Sequence, residues 1–116
     1  MNKPLGPYAP VVRAGDFIIV SGQVGMRDDV LVDGGVPAQT SQLLVNVADR
    51  LAEVGASLTD VVKTTCFLTD MGDFDTFNDA YAQGFGDHRP ARSTVAVLAL
   101  PRGAAVEVEA WAYKPG

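Results

Sequence analysis

A chain of 116 residues supports one packed core and is too short for two. Its 47% hydrophobic and 20% charged residues make a globular composition, its uncharged stretches fall short of the roughly 18 apolar residues of a membrane span, and its net charge of −5 has the wrong sign for gripping phosphates. The single cysteine, Cys66, has no disulfide partner and no CxxC or histidine-rich neighbourhood, and the start lacks an apolar signal core, so the expectation is a cytoplasmic protein without a structural metal.

In chain order, "VVRAGDFIIVSGQVG" holds two β-rich runs broken at Gly15-Asp16, the mark of a hairpin, and Gly22 is expected to end the second strand. In "PAQTSQLLVNVADRLAEVGAS", Leu43, Leu44, Val47, Leu51 and Val54 recur every three or four residues. That spacing predicts a helix over about 37 to 54, capped by Gly55. "DVVKTTCFLTD" reads as a strand rich in β-branched residues. A second helix follows in "DFDTFNDAYAQGFGDH", where Phe74, Phe77, Tyr81 and Phe85 form one stripe between Asp73 as N-cap and Gly86 as stop. "RPARSTVAVLALPRGAAVEVEAWAY" supplies two closing strands joined by a turn.

The order is then ββαβαββ, an α+β arrangement in which two helices cover one face of a mixed sheet. Period-two alternation puts Val106, Val108, Ala110 and Ala112 beneath the helices and Glu107, Glu109, Trp111 and Tyr113 on the opposite face. Because "FIIVS" is apolar on both faces, the uncovered side predicts a homo-oligomer.

The closing strands carry Arg92, Glu107 and Glu109 among short apolar residues. A guanidinium forks onto carboxylates through two parallel bonds, so Arg92 is either an anion clamp or one half of a salt bridge to Glu107 or Glu109. Glu107 and Glu109 point the same way; they could divide acid and base roles, or one could pair with a cation. "GPY" at 6 to 8 and "SGQ" at 21 to 23 offer a phenol, a hydroxyl and an amide at loop and strand ends, and Asn78 is either solvated or reaches inward. His88, the only histidine, reads as a solvated loop residue, and no second histidine is present to build a zinc hydrolase site. "DMGDFD" lacks the glutamate that closes a calcium loop and reads as a helix start, while Cys66 reads as core. There is no GxGxxG, Walker loop or GxSxG elbow.

Together, "GPYAPVVRAGDFIIVSGQ", "AQTSQLLVNVADRLAEVGASLTDVVKTTCFLTDM", "FNDAYAQGFG" and "RPARSTVAVLALPRGAAVEVEA" resemble, in order and spacing, the RidA/YjgF/YER057c/UK114 family of reactive-intermediate deaminases over nearly the whole chain. The resemblance implies a single RidA-like domain over residues 1–116 with a chorismate-mutase-like α+β fold. It also implies a homotrimer with three ligand clefts between subunits. The implied activity is cofactor-free hydrolysis of enamines and imines, such as 2-aminoacrylate, to 2-keto acids and ammonia. A non-catalytic carboxylate-binding trimer and the endoribonuclease activity attributed to the family are the rival readings. Carried over by position, Arg92 matches the arginine that grips the substrate carboxylate and Glu107 the glutamate that positions water. Tyr8, Ser21, Gly22 and Asn78 match positions at the cleft. Thr94 stands where some members carry cysteine and Pro10 where many carry glutamine, while Glu109 is left a structural role.

Overall fold

A computed structural model describes residues 2–116. In chain order the elements are β1 (Val11–Ala14), β2 (Phe17–Val24), β3 (Met26–Arg27), β4 (Val30–Leu31), α1 (Gly35–Ala52), β5 (Val61–Leu68), α2 (Phe74–Phe85), β6 (Ala91–Ala96) and β7 (Val106–Tyr113). Five strands form one sheet in the order β1-β2-β7-β5-β6, in which β5 and β6 run parallel and the other neighbours antiparallel. The two helices pack on one face of this mixed sheet, as the hydrophobic pattern predicts. No helix among the described residues is long and apolar enough to cross a membrane.

The helices are held by their apolar stripes. Leu43, Val47 and Leu51 of α1 are fully buried against Ile18, Val20, Val108 and Ala110 of the sheet; burying each such side chain contributes roughly 1.5–3 kcal/mol. Gly84 lets α2 approach α1, since a Cβ there would lie 2.2 Å from Leu44 Cδ1. α1 starts at Gly35, two residues earlier than its spacing predicts, because Pro37 fits a first turn where the missing N–H is not needed. Its end is closed as expected around Gly55, at φ 79°, with Ala56 N donating to Leu51 O at 3.0 Å. Asp73 occupies the N-cap position of α2 but makes no capping bond. Asp70 does that work one turn earlier, accepting from Gly72 N at 2.8 Å in the 3-10 turn that leads into the helix.

One other expectation is corrected, and two further features are not legible in the sequence. β2 does not end at Gly22 but continues to Val24, with an extra residue inserted opposite β7 between Val20 and Gln23. The β3–β4 hairpin went unread because two-residue strands carry no alternation; its turn rests on Asp28 and Asp29, both in the left-handed region at φ 53° and 63°. Finally, β6 and β7 are not neighbours: β5 lies between them, paired with β6 on one side and β7 on the other.

Candidate functional site

The residues singled out by sequence fall into two groups, and the strand register explains why. Arg92 pairs with Thr64, which pairs with Ala110, so all three share the helix-covered face. Glu107 pairs with Phe67 and alternates with the buried Val106 and Val108, which places it on the bare face. β6 is the sheet edge, so Arg92 lies against the open flank of α2.

There Arg92 Nη2 donates to Asn78 Oδ1 at 2.7 Å. Its guanidinium carbon sits 5.5, 5.4 and 4.9 Å from the ring centres of Phe74, Phe77 and Tyr81, within range of cation–π attraction. Tyr81 is fixed in turn by a 2.7 Å hydrogen bond between its hydroxyl and that of Thr64. The ion pairs found among the described residues are Arg50–Glu53 and Lys114–Asp60, so Arg92 has neither glutamate as a salt-bridge partner. Among the described residues its holders are neutral and no carboxylate pairs with its charge, which suits it to receive an anion. Thr94 follows on the same face opposite Cys66, and burial pushes the Cys66 thiol up, in keeping with a core residue.

The second group gathers where β2 bulges. Gly22 lies against Glu107: a Cβ at this glycine would be 2.8 Å from Glu107 Cδ. Ser21 fastens the incoming N-terminal segment, its N donating to Pro10 O at 3.0 Å and its Oγ to Ala9 O at 2.7 Å. Tyr8, half exposed, borders a small cavity together with Pro10 and Gly22, and its hydroxyl accepts from Leu5 N at 3.3 Å. Burial, helped by the charge of Glu109, raises the Glu107 carboxyl above its ordinary 4.5. A carboxyl shifted upward is a better proton acceptor near neutrality than an unperturbed one. The bulge is supported from α1, where buried Asn46 Nδ2 donates to Val24 O and Met26 O at 3.0 and 2.9 Å.

Thus Asn78, Arg92 and Thr94 come together, as do Tyr8, Ser21, Gly22 and Glu107, and the sheet separates the two sets within one chain. The aromatic holders of Arg92 were legible only as a core stripe, because nothing local in the sequence says that β6 will lie beside α2. His88 departs from the solvated reading: its Nε2 donates to Val61 O at 2.7 Å and its ring packs against Phe85. No cluster of three His, Cys, Asp or Glu that could hold a metal occurs among the described residues.

A family model described as Endoribonuclease L-PSP matches residues 1–114. The chain is 42% identical over 114 residues to a RutC family protein of Pyrococcus abyssi, covering 97% of this chain and 90% of that one. It is 43% identical over 112 residues to the human 2-iminobutanoate/2-iminopropanoate deaminase, covering 95% and 82%. The solved structure of Escherichia coli TdcF with bound serine matches at TM-score 0.89 and 35% identity, over 96% of this chain and 91% of that chain.

Proposed function

The chain belongs to the endoribonuclease L-PSP family, the RidA/YjgF/YER057c/UK114 family of its motifs, and from that membership we propose that it hydrolyses small 2-imino and enamine acids to 2-keto acids and ammonia. The observation that carries the reading is the pairing of an arginine held by neutral groups with a proton-hungry carboxylate elsewhere on the same sheet. Because the two occupy opposite faces, the reading requires that a second copy bring its Glu107 group to the Arg92 of the first. A homotrimer with sites between subunits, as the family resemblance implies, meets that requirement, and the bare sheet face supplies an apolar surface for it.

In this reading Arg92 binds the substrate carboxylate through the part of its fork not bonded to Asn78, which fixes the adjacent imine carbon. Water adds to that carbon as Glu107 takes its proton and passes it to the nitrogen, giving a carbinolamine. Glu107 then takes the hydroxyl proton and delivers it to the nitrogen as the C–N bond breaks, so that ammonia leaves and the carbonyl forms. An enamine first tautomerises to the imine by gaining a proton at its terminal carbon and losing one from nitrogen. Tyr8, Ser21, Gly22 and Thr94 shape the walls. Since 2-imino acids already hydrolyse in water, the roughly 10²- to 10⁴-fold that general acid–base help provides is sufficient.

The test couples an amino-acid oxidase to the protein and follows loss of the imine. The wild type is expected to accelerate it, and Arg92→Ala to fall to the uncatalysed rate; an equally active Arg92→Ala would refute the reading. The serine bound in TdcF favours one rival, a carboxylate-binding trimer without turnover, which predicts thermal stabilisation by ligand and no ammonia release. A net charge of −5 disfavours an endoribonuclease.

A further inference from the structure

The chemistry above leaves one buried cation without a use. Arg50 on α1 is 7% exposed, and burial of a guanidinium is costly unless its donors are engaged. Its Nη1 donates to Glu53 Oε2 at 3.3 Å, and its Nη2 reaches the far end of the N-terminal segment, donating to Asn2 O. Asn2 is held from its other side by the β3–β4 hairpin. Its Nδ2 donates to Met26 O at 2.8 Å and its Oδ1 accepts from Asp29 N at 2.9 Å, while Lys3 N donates to Asp29 Oδ1 at 3.2 Å. With Ser21 holding Ala9 and Pro10, residues 2–10 form a strap fastened at both ends.

Tyr8 lies between the fastenings. The cavity under the strap, lined by Asn2, Leu5, Tyr8, Gly22 and Arg50 among others, measures about 30 Å³. That is room for one or two waters and no substrate, so the cavity is a joint between strap and bulge. Gly22 on its wall abuts Glu107, so the seating of the strap sets where Tyr8 stands relative to that carboxylate.

We propose that Arg50, with Asn2 and Asp29, is a positioning latch that seats Tyr8 over the Gly22–Glu107 group and thereby sets affinity for the 2-imino or 2-keto acid. The inference rests on the reading of Tyr8 and Glu107 as site residues. It is tested by Arg50→Met, which keeps the apolar stem, and by Asn2→Ala and Asp29→Ala, which leave the core untouched. Two measurements are made on the intact protein: hydrogen exchange at the amides of Lys3, Leu5, Gly6 and Tyr8, and the Kd of 2-ketobutyrate. Loss of one or two latch bonds is expected to speed exchange about tenfold and weaken binding about fivefold, with kcat within about twofold of wild type and Arg50→Lys restoring part of the affinity. Unchanged exchange overturns the latch. Faster exchange with unchanged Kd overturns its positioning role and leaves the deaminase reading standing. If wild type binds the keto acid without turning over imines, the deaminase reading fails and the latch is still judged by Kd. If wild type binds no keto acid, both fall.

Discussion

Arg92 is held by groups that carry no charge, and this can be reversed with one atom. Asn78→Asp is nearly isosteric and would set a carboxylate oxygen where Oδ1 now stands, 2.7 Å from Nη2. A resident anion competes with a substrate anion, so KM is expected to rise about 10- to 100-fold while thermal stability holds or improves, because a charged hydrogen bond contributes about 1.5–3 kcal/mol. Unchanged KM would mean that the substrate carboxylate sits elsewhere. Glu107 gives a second prediction with a definite sign. Its carboxyl is raised in the folded chain, so relative to the unfolded state it favours folding when protonated, below about pH 4.5, and that contribution is lost as pH rises through the folded value. Glu107→Gln should therefore match wild type in Tm near pH 4 and exceed it at pH 7. In the wild type the acidic limb of the kcat/KM profile is expected above the ordinary carboxyl value. A difference in Tm that shrank as pH rose would contradict the burial argument.

At the scale of elements, what was legible follows from period. α1 and α2 announce themselves through five and four apolar residues at helical spacing, and β7 through strict alternation, so both helices and the two-sided character of the last strand could be read directly. The β2 bulge could not, because pairing register depends on the partner strand and Gly22 reads equally well as a terminator. Nor could the split between Arg92 and Glu107, since the alternation of β6 says which residues share a face but not which face the helices cover. Family resemblance supplied both names without their separation. The bulge yields a test of its own. Gly22→Ala would drive a methyl to 2.8 Å from Glu107 Cδ, a contact that the flexible carboxylate relieves by swinging away. The expected result is a loss of imine hydrolysis of about 10²-fold with Tm within a few degrees of wild type, since removing a positioned base costs about that much while the core is untouched. Retained activity would show that Glu107 need not stand where it does.

At the scale of the whole molecule, the bare sheet face is the surface that matters most. Phe17, Trp111 and Tyr113 are each more than 40% exposed there, and Phe17 packs edge to face on the other two with ring centres 6.0 and 5.3 Å apart, a cluster left uncovered by the described residues. Such a patch is best buried by a second copy, and in the proposed reaction the placement of Arg92 and Glu107 on opposite faces would make the same demand. The two demands can be tested at once by complementation. Arg92→Ala and Glu107→Gln should each be inactive alone. If one copy gives the arginine and its neighbour the glutamate, unfolding the two variants together and refolding them leaves about a quarter of the junctions with both groups intact, for random assortment around a closed ring. Imine hydrolysis should then return to about a quarter of the wild-type rate, a recovery that vanishes if Trp111→Asp is placed in both chains to break the apolar contact. Were the site contained in a single chain, every chain in the mixture would still lack one group, and no ratio of the two variants could restore turnover.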